Sequence, residues 1–373
     1  MHKVYKFRLY PTKAQESKLE RTLELCRQVY NETLAYRKDK YEQVHVSVSN
    51  YATHNLLPIW KKNAPELKEV FSQTLQEVQE RVELAFRAFF RRVKNGENPG
   101  YPRFKGYGWY DSFTYPQMGF KLSGDKLTLS KIGDVYIRVH RKIDGDVKRV
   151  TIRRNSNGKW YASLTIECEL TAMSRNLFPA IGIDMGLTSF ATLSNGDKVP
   201  NPRFFRREEN ELAKAQRRLS KLEKTSPERM KAIRVVRRVH ERIANKRYDF
   251  VHQLSRQLVN EYGLISFEDL NIKGMVKNHC LAKSIGDAAW IMLITVTTYK
   301  AESAGTTVTL INPANTSKMC SRCGTLVDKE LSDRIHECPG CGLVMDRDEN
   351  AAINILRLGL QSVARKGVEA HTL

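Results

Sequence analysis

Two pairs of cysteines constrain this chain more than any other feature. Cys320-Ser321-Arg322-Cys323 and Cys338-Pro339-Gly340-Cys341 are separated by 14 residues. Two CxxC knuckles near this separation build a tetrahedral thiolate cage for zinc. Gly324 and Gly342 follow the knuckles, where tight turns let backbone amides point at sulfur. All four ligand positions are Cys, which leaves none open for water. The expected Zn2+ is therefore structural and stabilises a ribbon too small to fold on its own core. A thioredoxin-like redox role fits poorly, because both pairs belong to one ribbon. The other cysteines, Cys26, Cys168 and Cys280, are scattered. This usage suits a metal site in a reducing compartment better than a disulfide framework.

Charge narrows the partners. Across 373 residues, 62 Lys and Arg face 41 Asp and Glu, a formal net charge of +21. A long polyanion is the natural partner, because neutralising phosphates releases condensed counterions. Residues 203–247 carry much of the excess, with 16 Lys and Arg against six Asp and Glu. Ser226-Pro227 divides that stretch into two helices, Ser as cap and Pro in the first turn. Ile233, Val236, Ile243, Phe250 and Leu254 give the second helix a packing stripe. A solvated helical hairpin is the plain reading of such a stretch; the single sign of its charge favours a phosphate-tracking groove. The start, MHKVYKFRLYP, has no apolar h-region, and the apolar run at Ala288–Val296 is far short of the roughly 20 residues of a membrane span. No membrane partner and a cytoplasmic location are expected.

At this length, and with 41% hydrophobic residues, two or three cored domains are expected. Residues 3–10 alternate basic and apolar, as an edge strand does. Thr12 and Gln15 form a capping-box pattern, and Leu19, Leu23, Cys26, Tyr30 and Leu34 follow at helical spacing to about Lys40. A second helix carries Leu75, Val78, Val82, Phe86, Phe89 and Val93 and ends at Asn95-Gly96, with Gly96 as a left-handed cap. From Phe104 to Leu170 short β-rich runs dominate, with a hairpin over Asn157-Gly158. The first strand is expected to join this β domain, making the helices between them an insertion. Further on come strands at AIGIDMG, SFATLSNGDKV, GLISFEDLN and TVTLI, helices near Asp287–Ala304 and NAAINILRLGL, and a tail beyond Arg365.

Three acids stand at the ends of these elements. Asp184 lies inside an apolar strand, where a carboxylate is costly unless charge is brought to it. Glu268 ends a second apolar strand, and Asp348 enters the last helix. An RNase H-like sheet brings such positions together. Converging carboxylates raise one another's pKa, and two Mg2+ ions remove that penalty while clamping the attacking and leaving oxygens of a phosphodiester displacement. Taken singly, Asp184 reads as a turn residue, Asp348 as a helix cap and Glu268 as a surface charge. Asp269 and Asp346 are expected outside the metal site.

The chain resembles the TnpB proteins of insertion sequences, which are similar to type V CRISPR effectors. The resemblance spans nearly the whole length. It rests on KFRLYPT, NPGYPRFKG, GIDMGLTSFATLSNG, FEDLNIKGM, KNHCLAKSIGDAAW, the CxxC pairs and DRDENAAINI. It implies an RNA-guided DNA endonuclease whose RuvC-like Asp, Glu and Asp fall on Asp184, Glu268 and Asp348; Arg347 also matches the family pattern. It implies an α/β RNase H-like (RuvC) nuclease domain over 179–318 and 343–363, with a zinc ribbon inserted at 319–342. A β-barrel-like wedge domain (1–11 and 104–178) would carry an inserted α-helical recognition domain (12–103), and 364–373 would be a flexible tail. It further implies a guide RNA from the transposon end, a double-stranded DNA target beside a short motif, one chain per RNA, and work at the prokaryotic nucleoid. Ser72, Gln73, Gln76, Thr114 and Tyr115 become candidates for reading that motif, and Asn271–Ile285 a lid over the active site. A guided binder without cleavage and a strand-transfer transposase are the alternatives. The intact acid set argues against the binder, and the ribbon between the second and third acids argues against the transposase.

Overall fold

A computed structural model describes residues 2–168, 176–275, 283, 286–330 and 333–371. The chain divides into two compact units, Met1–Glu169 and Leu170–Leu373.

The first unit is built on seven strands: β1 (His2–Tyr10), β2 (Ser112–Tyr115), β3 (Phe120–Ser123), β4 (Lys126–Leu129), β5 (Gly133–Arg138), β6 (Asp146–Arg154) and β7 (Trp160–Glu167). Their order is β2-β6-β7-β1-β5-β4-β3, all antiparallel. Among the described residues this ladder runs open from β2 to β3, so barrel-like closure is not part of it. The expected β6–β7 hairpin is present, with Gly158 at φ 77°. β1 is not the edge strand that its alternation suggested. It pairs with β7 on one side and β5 on the other. The alternation reports a wet face, not a free edge: Phe7 and Leu9 are buried, while Lys6 and Arg8 lie over the Tyr161 ring.

Between β1 and β2 the chain forms α1 (Lys13–Val44), α2 (Asn50–His54), α3 (Leu57–Asn63) and α4 (Ser72–Lys94). The Thr12–Gln15 capping box opens α1, and Gly96 closes α4 at φ 66°. Leu19, Leu23, Cys26 and Tyr30 of α1 and Leu75, Val78 and Val82 of α4 share one core with Phe113, Trp160 and Leu164 of the sheet.

The second unit holds β8 (Ala180–Asp184), β9 (Ser189–Leu193), β10 (Lys198–Pro200), β11 (Leu264–Glu268) and β12 (Thr307–Ile311) in the order β10-β9-β8-β11-β12. β8, β11 and β12 are parallel, and β9 runs antiparallel to β8 and β10. Three antiparallel strands continued by two parallel ones make the RNase H-like sheet expected from the sequence. Its helices are α5 (Phe204–Ser220), α6 (Pro227–Glu261), α7 (Ile272–Met275), α8 (Trp290–Ala304) and α9 (Arg347–His371). Ser226 caps α6, with Pro227 in its first turn. Ala289, at φ 56°, separates Asp287 from α8. The last helix reaches His371, through most of the segment expected as a tail. Among the described residues no helix is long and apolar enough to cross a membrane.

Strand parity assigns the two faces of this sheet. Ile181, Ile183, Ile265 and Phe267 pack with Val251 and Leu258 of α6 and Leu293 and Val296 of α8. The alternate positions meet α9. A Cβ on Gly182 would lie 2.2 Å from the Ala352 carbonyl oxygen, and one on Gly359 would lie 1.9 Å from Ser266 Oγ. The helix therefore rests directly on the strands.

Candidate active site

Parity also orients the acids. Asp184 is two residues beyond Gly182, and Glu268 two beyond Ser266, so both belong to the face that α9 covers. The strands are in register as Ile183↔Phe267, so the next residues, Asp184 and Glu268, come out side by side at the ends of adjacent parallel strands. α9 brings Asp348 in its first turn, where the positive end of the helix dipole favours a carboxylate. The cap itself is Asp346, whose Oδ1 accepts from the backbone N–H groups of Asp348 (3.0 Å) and Glu349 (3.1 Å). Asp346 also pairs with Lys198 at 2.6 Å, and Asp269 is exposed. The Asp346 charge nevertheless acts on Asp184 together with those of Glu268 and Asp348.

Asp184 and Glu268 are both desolvated carboxylates. Burial, then the charges of Glu268 and Asp348, push the Asp184 carboxyl well above its usual range. Burial also raises Glu268, opposed by a hydrogen bond donated by Thr316 Oγ1 to Oε1 at 2.5 Å. The donor set is hard oxygen with excess negative charge, which suits Mg2+. Arg347 supplies part of the compensation: its guanidinium reaches Asp348 Oδ1 at 2.9 Å and the Asp333 carbonyl at 2.9 Å. It is thus engaged with an acid.

The four cysteines come together as expected, with their sulfurs all within 4.8 Å. Among the described residues no other set of three or more potential metal ligands is drawn to that spacing. The sulfurs of Cys320 and Cys341 are 3.6 Å apart and those of Cys323 and Cys338 3.5 Å. Zn–S bonds of about 2.3 Å give tetrahedral edges near these values. Gly324 (φ 81°) and Gly342 (φ 69°) turn each knuckle. The Thr325 hydroxyl, 3.3 Å from Cys323 Sγ, leads the contacts that pull this thiol down to about 6. A short ladder, β13 (Ile335–Glu337) with β14 (Val344–Asp346), runs from the ribbon into α9.

Several connecting residues escaped the sequence reading. Asn350 and Asn354, both fully buried, tie α9 to the ribbon. Asn350 accepts from Ser321 N–H and donates to the Met319 carbonyl; Asn354 donates to the carbonyls of Met319 and Thr316. Thr316 in turn holds Glu268, so ribbon, helix and strand-end acid are joined by hydrogen bonds. The signal was two amides at i and i+4 amid Ala351, Ala352 and Ile355. Asp287 was also missed as a site residue. It is buried, accepts from the N–H groups of Phe205 and Arg206 at the start of α5, and pairs with Arg247 at 2.6 Å.

The expected motif readers separate. Ser72 and Gln76 are exposed on α4, and Gln73 is in part buried. Thr114 and Tyr115 are buried: Thr114 Oγ1 is held by Arg81 and Thr151, and the Tyr115 hydroxyl donates to the Ser130 carbonyl. Adjacent on β2, they point to opposite faces of the sheet, and both faces are covered there, so neither side chain stands at the surface. Most of the expected lid lies outside the described residues. In the basic hairpin, Glu208 and Glu211 of α5 pair with Arg242 and Lys246 of α6, while Arg217, Arg218, Lys221 and Arg234 lie on its wet side.

Comparisons with known proteins agree with this architecture. Family models described as a probable transposase, a Cas12f1-like TNB domain and a helix-turn-helix domain match residues 174–279, 290–355 and 1–45. Over the last of these the structure has a strand and one continuous helix. A putative RNA-guided DNA endonuclease of Streptomyces pristinaespiralis is 38% identical over 97% of this chain and 90% of its own length. The putative RNA-guided DNA endonuclease InsQ of Escherichia coli K12 is 33% identical over 95% and 92%. A Cas12f1 solved with sgRNA and target DNA shares the fold at 14% identity, with a TM-score of 0.61 over 95% of this chain and 98% of that one.

Proposed function

Because the chain belongs to the TnpB family of RNA-guided DNA endonucleases, we propose that it cuts DNA chosen by a guide RNA, using Asp184, Glu268 and Asp348 as its catalytic carboxylates. The observation that supports this reading is that Asp184 and Glu268 end adjacent parallel strands on the face of an RNase H-like sheet that α9 covers, with Asp348 in the first turn of that helix. Two Mg2+ ions, when bound, supply an activated water and charge neutralisation at the leaving 3′ oxygen. The chain's own residues do the positioning. Asp184 and Glu268 present oxygens from adjacent strand ends, Thr316 fixes the rotamer of Glu268, and Arg347 balances Asp348. The cysteine cage holds a structural zinc and, through Asn350 and Asn354, anchors the start of α9.

The guide comes from the transposon end, and one chain serves one RNA. Residues 1–11 and 104–178 act as the wedge, 12–103 as the recognition insertion, 179–318 and 343–363 as the nuclease and 319–342 as the ribbon. Ser72 and Gln76 read the target-adjacent motif, and exposed cations on α5 and α6 follow phosphates. The test is cleavage of a plasmid library after co-expression with the native flanking DNA, comparing wild type with Asp184→Ala in Mg2+. Guide-matched cutting beside one enriched motif, lost in the variant, supports the proposal. Tight guided binding without cutting in either protein would leave a guided binder, and joined rather than cut ends would make it a transposase.

A further inference from the structure

Residues 95–111 cross the surface of the first unit between α4 and β2 as turns and extended chain. Four aromatic side chains stand exposed here: Tyr101 at 45%, Phe104 at 53%, Tyr107 at 85% and Trp109 at 82%. Rings of this size contribute most when covered, so leaving several open on one short segment needs a reason. The segment is anchored. Asn31 of α1 accepts from the Lys105 N–H (2.8 Å) and donates to its carbonyl (3.0 Å), and Arg27 donates to the same carbonyl at 2.9 Å. Tyr107 and Trp109 then flank a tight turn, closed by Trp109 N–H donating to the Gly106 carbonyl at 3.1 Å with Gly108 at φ 75°. Glycine adopts that φ without strain. The turn is thus pinned at its base while its rings face solvent.

Charge identifies the occupant. Between Glu97 and Asp111 there is no acid, while Arg103 and Lys105 alternate with the rings. Arg91 and Lys94 are exposed at the end of α4, and Arg92 Nη1 lies 3.8 Å from where a Cβ on Gly100 would be. Open rings interleaved with cations form a surface for unpaired nucleotides, since each base has a face to stack and each phosphate a charge to neutralise. A paired duplex offers no such faces. Resting on the RNA-guided reading, the target arrives as duplex, and the strand with free bases that the protein holds beforehand is the guide. We propose that Tyr107 and Trp109 form a stacking platform for unpaired bases of the guide RNA, with Arg103 and the basic end of α4 meeting its phosphates.

Iodide quenching of tryptophan emission reads this platform directly, because Trp160 and Trp290 are buried and Trp60 is half-buried. Protein purified with its RNA is compared with the same protein stripped by ribonuclease, each against Trp109→Phe, so that the difference isolates Trp109. Trp109 should be shielded with RNA bound and open without it. Replacing both rings (Tyr107→Ala with Trp109→Ala) should weaken gel-shift affinity for the co-purified RNA by about tenfold or more, while Trp109→Phe keeps it. Shielding that begins only on adding target DNA would overturn the guide assignment. Equal accessibility with and without RNA, or full affinity in the double alanine variant, would overturn the platform and leave RNA-guided cleavage standing. A wild-type protein that carries no RNA would sink both.

Discussion

Gly182→Ala tests whether the contact between α9 and the sheet sets the spacing of the acids. The new methyl would sit 2.2 Å from the Ala352 carbonyl oxygen and 2.5 Å from Leu356 N. Both are helix backbone, so no side chain can rotate away. Carbon–oxygen contacts settle near about 3.3 Å, so α9 must retreat by roughly 1 Å. Overpacking of this kind costs about 1–3 kcal/mol, and each kcal/mol lowers the melting temperature of a domain this size by about 2–4 °C. The retreat also moves Asp348, in the first turn of α9, away from Asp184, two residues beyond the substituted glycine. A misplacement of about 1 Å can reduce a rate by ~100-fold. Single-turnover cleavage of guide-matched DNA and a thermal melt measure the two effects, with zinc content confirming an intact ribbon. Wild-type cleavage by a variant that melts lower would refute the link between this contact and the acid geometry; wild-type behaviour in both would refute the close approach itself.

Cys320→Ser should release the zinc and depress cleavage, measured by metal analysis and guided cutting; full zinc retention would end the ribbon assignment. Thr316→Val removes the hydroxyl that donates to Glu268 and should weaken Mg2+ affinity about 10–100-fold, read as a higher Mg2+ concentration for half-maximal cleavage; an unchanged Mg2+ titration would make Thr316 merely structural. Lys300 donates to the His252 carbonyl and Ser255 Oγ, and burial lowers its pKa from 10.5 to about 8. Between those values the unfolded chain binds the extra proton, so stability should rise with pH there. Urea melts across that window should show the slope in wild type and a flatter one in Lys300→Met; equal slopes would refute this. Binding to duplex DNA should weaken with salt at a log–log slope of about −0.9 per phosphate neutralised, and a flat salt titration would exclude phosphate tracking.

Patterns confined to a few neighbouring residues are legible in the sequence. The CxxC spacing, the Thr12–Gln15 box, the Ser226-Pro227 break and the Asn157-Gly158 turn rest on local backbone geometry, and each is present as expected. The strand-end positions of Asp184 and Glu268 are legible because an acid ending an apolar run stands out against its neighbours. β1 deceives because alternation reports which face is wet, while edge or centre depends on partners that are distant in sequence, β7 and β5. The burial of both Thr114 and Tyr115 was hidden for a related reason: a four-residue strand does not say that both of its faces will be covered.

The sequence by itself determined the four thiols of the ribbon and singled out the three candidate carboxylates, with the elements that carry them, because side-chain identity and hydrophobic period are local properties. Tertiary structure alone decided how those groups are held. The rest of α9 on Gly182, the hydrogen bonds from Asn350 and Asn354 to the ribbon, and the grip of Thr316 on Glu268 join segments far apart in the chain. Contacts of that kind arise only when packing brings the two ends together, and no local pattern records them.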